Sequence, residues 1–219
     1  MIAVFTCDII ASRRFSALQR QVLDQGLRNA FAETCRILPG AKGELLSFSV
    51  IQGDEFQFSI LQPAWFYSFL LMLRLRFSLL LPDGDPMFRC GIGIGTRSIA
   101  GGSSYQRDGS AYHASREALE RFERMKGRLS ILQRANGGYD AGLNLILGFC
   151  DHLELSWSSR QKQALLLRLE GHNLKQSAEQ LHSSWQNVQQ LLQNAGWDRL
   201  QEAIGYLNGL RYPPPRRER

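Results

Sequence analysis

The pattern of the chain changes near Asn136-Gly137-Gly138, and this change restricts the folds available to it. Before this point, strand-like apolar runs alternate with helical spacing, whereas the spacing from residue 139 to 208 is helical throughout. Glycine-rich segments of this kind interrupt regular structure. We therefore expect an α/β domain over 1–135 and a helical domain over 136–209. A basic, proline-rich tail over 210–219 is expected to be disordered.

The first domain has the predicted element order β-α-β-β-α-β-α-β. The strand-like runs are 2–10, 45–52, 55–61, 87–96 and 128–133, and the helical runs are 16–38, 63–81 and 110–126. Gly53-Asp54 separates two runs with period-two alternation, which indicates a hairpin. This order predicts an α+β fold with a ferredoxin-like (palm) sheet packed on helices. A set of glycines at 91, 93 and 95 indicates close backbone approach within a strand.

The charge of the chain favours polyanionic partners. The 219 residues carry a formal net charge of +6, with lysine only at 42, 126, 162 and 175, so that arginine supplies most of the positive charge. The planar guanidinium suits phosphate and carboxylate groups. Nucleic acid and nucleotides are therefore reasonable partners, although ordinary solubility charge accounts for the same composition.

Several features favour a cytoplasmic protein outside the membrane. The apolar run 65–81 contains Arg74 and Arg76, which predicts a buried helix and not a membrane span. Asp8 interrupts the N-terminal apolar run, so that we expect no secretory signal. The four cysteines form no C-x-x-C pair and are expected to be free thiols in a reducing compartment.

Two aspartates are candidate ligands of a divalent cation. Asp8 ends the first apolar strand, and Asp54 lies at the hairpin tip beside Glu55. In a palm sheet the first strand and the hairpin are neighbours, and carboxylates held close together repel unless a cation lies between them. Mg²⁺ or Mn²⁺ with Asp8, Asp54 and Glu55 as ligands is therefore the favoured interpretation. In the alternative, Asp54 only serves the turn and Asp8 caps the next segment.

The connection after Asp8 contains a hydroxyl and two cationic groups, Ser12, Arg13 and Arg14. Backbone amides at a helix start and arginine side chains both attract phosphate, so that these residues are candidates for nucleotide binding. A capped, solvated helix start is the alternative.

Two short segments resemble the signatures D-I-x-x-S-R and G-D-E-F-Q of the bacterial SatD family. They are Cys7-Asp8-Ile9-Ile10-Ala11-Ser12-Arg13 and Gly53-Asp54-Glu55-Phe56-Gln57. The resemblance covers most of the chain and is compatible with a C-terminal helix-turn-helix.

The chain is also distantly similar to class III nucleotidyl cyclases and GGDEF domains. Asp8 and Gly53-Asp54 match the metal-binding positions of the cyclases, and the segments 89–95 and 109–116 resemble their later strand and helix start. The resemblance implies a catalytic, transition-state role for Arg116. It also implies a homodimer in which Arg116 reaches the partner's metals. Helical spacing offers a surface ion pair with Glu120 as the alternative.

Departures from the cyclase pattern argue against ordinary cyclase activity. Tyr112 replaces the asparagine, Val50 replaces the base-selecting lysine, and Gln52 replaces the second glycine of GGDEF domains. Metal and triphosphate binding remain compatible with the sequence, as do another phosphoryl-transfer reaction and nucleotide sensing without turnover.

The region 159–194 resembles the helix-turn-helix of LuxR-type regulators, with His182 at the position of the usual turn glycine. Ser184 is a suitable N-cap for the second helix. The candidate DNA-binding residues are Lys175, Gln186, Asn187, Gln189 and Gln190, because amide side chains can read adenine in the major groove. Phosphate attraction would come from Arg160, Lys162, Lys175, Arg199 and the basic tail. A dimerisation bundle is the alternative.

The sequence thus leaves three functions open. A DNA-associated regulator that binds a nucleotide is the leading hypothesis. A metal-dependent nucleotidyl- or phosphoryl-transfer enzyme is the second, and a structural module with a vestigial site is the third.

Overall fold

The computed structural model describes residues 1–38, 48–52, 54–81, 85–97 and 108–212. These residues form a mixed α+β fold with one six-stranded sheet and eight α-helices. The strands are β1 (Ile2–Ile9), β2 (Phe48–Gln52), β3 (Glu55–Ile60), β4 (Phe88–Gly95), β5 (Ser130–Arg134) and β6 (Gly138–Tyr139). The helices are α1 (Ala17–Ile37), α2 (Phe66–Ser78), α3 (Ser110–Glu120), α4 (Ala141–Ser156), α5 (Ser159–Leu169), α6 (Leu174–Gln180), α7 (Trp185–Asn194) and α8 (Trp197–Gly209).

The element order expected for the first part of the chain is confirmed as far as β5. The strands lie in the order β2-β3-β1-β4-β5-β6, and all neighbouring pairs are antiparallel except β4 and β5. β1 therefore lies between β3 and β4. The end of β1 and the start of β3 meet at one edge of the sheet, because Asp8 pairs with Glu55.

The helices α1 and α2 cover one face of the sheet with an aromatic core. The ring of Phe5 stacks on that of Phe58 with 4.3 Å between centroids, and Phe31 of α1 and Phe69 of α2 pack against Phe58. α2 is buried along almost its whole length, as its apolar run predicts. In the described ranges, no helix is both long and apolar enough to cross a bilayer.

The helix α3 covers the opposite face and lies directly on β4. A Cβ atom at Gly91 or Gly93 would overlap the backbone of α3 around Ala111 and Ser115. Only glycine permits helix and strand backbones to approach so closely, which confirms the interpretation of these glycines. The hydroxyls of Thr6 and Ser115 share a hydrogen bond of 2.8 Å across this contact.

A cluster of charged side chains is buried where α2 and α4 meet the start of β5. Arg74, only 1% exposed, donates to Glu154 at 3.0 Å and to the carbonyl of Leu129 at 2.7 Å. Asp151 accepts from Arg128 at 3.2 Å and from the amide of Leu129 at 2.9 Å. Burial alone would lower the pKa of Arg74, but the carboxylates of Glu154 and Asp151 outweigh it and raise that pKa above its ordinary value. We call these residues the buried ion cluster.

The C-terminal helices share one hydrophobic core with α2 and the sheet. β6 pairs with β5 through Tyr139 and Gln133, so that the sheet continues past residue 136. This short strand differs from the helical pattern expected from residue 139 onwards, and it forms because Gly138, with a positive φ of 63°, closes a tight hairpin. The division into domains at 1–135 and 136–209 remains a prediction.

Packing of the C-terminal segment continues to a later residue than the sequence predicts. Leu210 and Tyr212 contact the hydrophobic core, and the guanidinium of Arg134 lies 5.6 Å from the centre of the Tyr212 ring. The packed chain thus extends beyond residue 210, where the disordered tail was expected to begin, because these two side chains find apolar and cationic neighbours. Residues 213–219 lie outside the described residues.

Candidate functional site

Three carboxylates lie at the edge of the sheet where β1 ends and β3 begins. Asp8 and Glu55 are directly opposite each other on the two strands, and Asp54 immediately precedes Glu55. Paired residues of antiparallel strands point to the same face. Thr6 bonds to Ser115 of α3, and side chains two residues apart share a face, so Asp8 and Glu55 lie on the α3 side. We call Asp8, Asp54 and Glu55 the carboxylate edge.

Two arginines neutralise Asp8 and Glu55. Arg89 on β4 contacts one oxygen of Asp8 through Nε at 2.9 Å and through a terminal nitrogen at 2.7 Å. Arg116 on α3 contacts Glu55 at 2.7 Å. The side chains of Arg89 and Arg116 are 42% and 44% exposed and those of Asp8 and Glu55 are 22% and 24% exposed, although the Glu55 oxygen that contacts Arg116 is itself buried. Arg116 therefore crosses to the sheet and does not form the ion pair with Glu120 that helical spacing offers.

Asp54 connects the hairpin to the segment that follows β1. Its carboxylate accepts a hydrogen bond from the Ser12 hydroxyl, and its carbonyl accepts one from the amide of Ile9 at 3.2 Å. Ser12 belongs to a 3-10 turn, Ser12–Arg14, and Ala11 before it has a left-handed φ of 52°. The structure thus brings together Asp54 and Ser12, which the sequence assigned to metal and phosphate binding respectively.

An open cleft of about 340 Å³ lies beside this contact. Its polar lining includes Ser12, Asp54 and Glu55 and two exposed arginines, Arg13 and Arg20. The guanidinium of neither arginine has a hydrogen-bond or ion-pair partner within the described part of the chain. The remaining lining residues are Ile9, Phe15, Leu23, Asp24, Leu27, Val50 and Phe56. The cleft therefore combines cationic, acidic and apolar surface.

Arg14, the third residue assigned to phosphate binding, contacts a different part of the molecule. Its guanidinium donates to the carbonyl of Asp85 at 3.2 Å and lies 4.8 Å from the centre of the Phe15 ring. It is absent from the lining of the cleft. Arg20 lines the cleft instead, and local patterns could not predict this because Arg20 reaches the cleft only through the packing of α1.

A preformed metal site is not evident at the carboxylate edge. Across the described ranges, no three histidine, cysteine, aspartate or glutamate side chains group closely enough to hold a metal ion. Asp8 and Glu55 are paired with arginines, and Asp54 is bonded to Ser12. Carboxylate oxygens are nevertheless the ligands that Mg²⁺ and Mn²⁺ prefer. These residues would have to exchange their present partners to bind a cation.

The helical region presents the proposed DNA-reading residues to solvent. α7 begins after Ser184, whose hydroxyl accepts from the amide of Asn187 at 3.2 Å, as expected for the N-cap. Val188 lies on the buried face of α7. His182, in the turn before this helix, adopts the positive φ of 47° that the turn needs. The exposed residues include Lys175, Gln186, Asn187, Gln189 and Gln190.

Two of the cations expected to attract phosphate in this region are engaged elsewhere. Lys162 is buried and paired with Asp85, because α5 turns it into the crevice beside α2. Arg199 is exposed but paired with Glu202 at 2.9 Å. The expected role of Lys162 in DNA binding is therefore wrong. Arg160 donates to the carbonyl of Leu181 at 2.9 Å and remains exposed.

Arg89, like Arg20, is a site residue to which sequence reasoning gave no role. The strand register that places it opposite Asp8 is set by tertiary pairing and cannot be read from the local pattern.

No protein-family model matches this chain, and no curated protein is similar enough to it to count as a match.

Proposed function

We propose that the chain binds a nucleotide with a divalent cation at the carboxylate edge and that its C-terminal helices bind DNA, as a SatD-like regulator would. The observation that carries this proposal is that Asp54 and Glu55 line a cleft together with Arg13 and Arg20, whose guanidiniums have no partner within the described residues, while Asp8 lies opposite Glu55 on the neighbouring strand. Carboxylates supply ligands for a cation, and arginines supply charge-assisted hydrogen bonds to phosphate.

The strand order supports the palm topology that this proposal assumes. In a β-α-β-β-α-β unit of the ferredoxin-like type, the first and third strands are central and all neighbours are antiparallel. The order β2-β3-β1-β4 and its antiparallel pairings agree with such a unit. The end of β1 and the β2–β3 hairpin are the positions at which the cyclases that this chain resembles hold their metals.

A cation can replace the arginines at small cost. Exposed ion pairs contribute about 0–1 kcal/mol, and the arginine side chain of each pair is about two-fifths exposed. Mg²⁺ or Mn²⁺ would supply the positive charge that now comes from these side chains. Once released, the guanidiniums would be available for charge-assisted hydrogen bonds to phosphate.

The cleft has the composition expected for a nucleotide. Its volume falls in the range of about 300–1,000 Å³ that small-molecule sites occupy. Its polar lining consists of Ser12, Arg13 and Arg20 together with the carboxylates Asp24, Asp54 and Glu55, and its apolar lining includes Phe15 and Leu23. The arginines suit phosphate, the carboxylates suit a cation bound with it, and the apolar residues suit the flat, less polar part of the ligand.

A thermal-shift panel of nucleoside triphosphates with and without Mn²⁺ tests the nucleotide half. A ligand that binds only the folded state at 100 times its Kd stabilises it by about 2.7 kcal/mol. We expect one triphosphate with Mn²⁺ to raise the Tm of the wild type and of Asp198→Asn, a control on α8. Asp54→Asn should fold and show no rise. If no triphosphate raises the Tm of the wild type, this half is rejected.

The contact of Arg116 with Glu55 favours a second candidate, a metal-dependent nucleotidyl- or phosphoryl-transfer enzyme. A guanidinium at this edge can stabilise charge on a phosphate in the transition state. In that case Arg116→Met would lose turnover while nucleotide binding persists. Absence of product from a broad nucleotide panel with Mg²⁺ or Mn²⁺ would reject catalysis and leave binding alone.

The DNA half is supported by the exposed amides of α7. Gln186 and Gln189 point to solvent, and a bidentate contact to a base is worth about 1–3 kcal/mol. In gel shifts at several salt concentrations, we expect duplex binding that weakens with salt and changes with nucleotide. The double variant Gln186→Ala/Gln189→Ala should bind about tenfold or more weakly, whereas the control Gln201→Ala on α8 should not. No binding at low salt would reject this half.

A further inference from the structure

Two buried cysteines on neighbouring strands are in direct contact. Cys7 of β1 lies opposite Cys90 of β4 in the strand register, and their sulfur atoms are 3.0 Å apart. Both are buried free thiols. They lie on the face of the sheet that packs on α1 and α2, because Phe5, two residues before Cys7, belongs to the aromatic core on that face. The carboxylate edge, whose Asp8 lies on the opposite face, does not involve them.

The pairing of the two strands suits a disulfide at this position. The amide of Cys90 donates to the carbonyl of Leu129 at 2.8 Å, so that the backbone polar groups of Cys90 point towards β5 and away from β1. Cys7 and Cys90 are therefore a non-hydrogen-bonded pair, in which opposite Cα atoms are about 4.5 Å apart. Disulfides usually join Cα atoms about 4.4–6.8 Å apart. The two sulfurs can thus be joined without moving the strands.

The surroundings of the pair slow its reaction but do not prevent it. Burial raises the pKa of Cys7, the hydrogen bond to Cys90 adds to this rise, and the guanidinium of Arg74 on α2 opposes it. A cationic neighbour favours the thiolate, which is the nucleophilic form of cysteine. Since β1 ends at Ile9 and β4 begins at Phe88, opening of the last two residue pairs of these strands exposes the sulfurs.

We propose that Cys7 and Cys90 form a site of reversible thiol oxidation, at which a peroxide converts the two thiols to a cross-strand disulfide. The contact between the sulfurs carries this proposal, because a sulfenic acid on one cysteine is captured by the other before it is oxidised further. The disulfide would join β1 to β4 directly beside the ion pair of Asp8 and Arg89. The proposal does not depend on nucleotide or cation binding at the carboxylate edge.

The reaction consumes one peroxide for each pair of thiols. One sulfur, as its thiolate, attacks an oxygen of hydrogen peroxide and breaks the O–O bond, which gives a sulfenic acid and hydroxide. The hydroxide takes up the proton that the thiol released and becomes water. The second sulfur then attacks the sulfenic sulfur, and the sulfenic hydroxyl leaves with the second thiol proton as another water. The two thiols lose two electrons, which the peroxide gains.

Tryptic mapping of the oxidised full chain tests the site without any substitution. Cleavage after lysine and arginine places the four cysteines in separate peptides, 1–13, 29–36, 90–97 and 135–160. The native protein is treated with hydrogen peroxide until Cys35, which is only partly buried, is oxidised, and the remaining thiols are alkylated after unfolding. We expect peptides 1–13 and 90–97 to be linked with the loss of two hydrogen atoms, and dithiothreitol to separate them.

Three results would overturn the proposal. Cys7 and Cys90 could both remain available for alkylation, they could reach only the sulfinic or sulfonic acid, or either could link to another cysteine instead.

The variant Cys90→Ala tests whether the second sulfur protects the first. Without it, a sulfenic acid on Cys7 has no neighbouring thiol, so that we expect no linked peptide and irreversible oxidation of Cys7 to the sulfinic acid. Cys150→Ala is the matched control, because Cys150 is also buried but lies on α4, and this variant should give the same linked peptide as the wild type. Identical products at Cys7 in Cys90→Ala and in the wild type would contradict the capture of one sulfur by the other.

Discussion

The buried ion cluster and the carboxylate edge contain the same types of side chain, arginine, aspartate and glutamate, but differ in how exposed these side chains are. In the cluster, Arg74 is 1% exposed and is bonded to Glu154 and to a backbone carbonyl. At the edge, Arg89 and Arg116 are about two-fifths exposed, and each contacts one carboxylate. A buried charge must keep its partners, whereas an exposed one can exchange them for a ligand. The buried ion cluster is therefore expected to stabilise the fold, whereas the carboxylate edge is suited to binding a ligand.

The largest expected difference between the two groups is in stability. Arg74→Met leaves the carboxylates of Glu154 and Asp151 buried with less positive charge, which typically costs about 3–5 kcal/mol. Arg89→Met removes an exposed pair and should cost about 1 kcal/mol or less. Urea unfolding of both variants measures the free energies of unfolding. Similar losses in the two variants would break the distinction.

A pair between these extremes should give an intermediate loss. Lys162 is buried while its partner Asp85 is exposed, so that Asp85→Asn leaves a buried ammonium without its counter-charge. Loss of one partner of a buried polar group costs about 1–3 kcal/mol. The matched control Asp24→Asn breaks an exposed pair with Arg28 and should cost less than about 0.5 kcal/mol. Equal urea midpoints for the two variants would count against the burial of Lys162.

Arg89 competes with a cation for Asp8 if the edge is a binding site. Arg89→Met removes that competitor, and an exposed pair worth up to about 1 kcal/mol translates into an affinity for Mn²⁺ raised by up to about fivefold. Isothermal titration with Mn²⁺ and a triphosphate measures the change, and Arg124→Met, which changes another exposed arginine, is the control. An unchanged or lower affinity in Arg89→Met would show that Asp8 is not a ligand.

The smallest expected effect concerns Tyr212, a half-buried tyrosine that lies beside Arg134. Burial raises the pKa of Tyr212 to about 12, although the nearby Arg134 opposes this rise. Because the folded pKa is raised, the contribution of Tyr212 to stability is complete below about pH 10 and is lost as the pH rises through about 12. The difference in ultraviolet absorbance between wild type and Tyr212→Phe should show little ionisation of the Tyr212 phenol up to pH 11. Ionisation of this phenol near pH 10 would mean that Tyr212 is not packed.

Local patterns predicted the elements and several of their ends. Ser184 caps α7, and the glycines of β4 lie against α3, because capping and close approach depend on residue type and spacing. The burial of α2 followed from its apolar run. The outward amides of α7 also followed from helical periodicity, since the buried Val188 fixes the orientation of the helix.

The ion-pair partners could not be predicted, because they depend on register and helix packing. Arg116 was expected either near the metals or in an ion pair with Glu120. It lies on α3 and contacts Glu55 of β3. Lys162 was expected in solvent and is buried. One signal for the buried cluster was present in the sequence: Arg74 lies within an apolar run and needs an acidic partner. Asp151 and Glu154, three residues apart in the apolar α4, are such partners.

Whether the carboxylate edge is a cation site can be decided by electron paramagnetic resonance, which measures free Mn²⁺ and hence its binding in the presence of a nucleoside triphosphate. We expect at least one bound ion per chain in the wild type and none in Asp54→Asn, with the fold of both confirmed by circular dichroism. Equal binding by wild type and Asp54→Asn, or no binding by either, would contradict the assignment of the carboxylate edge as a cation site.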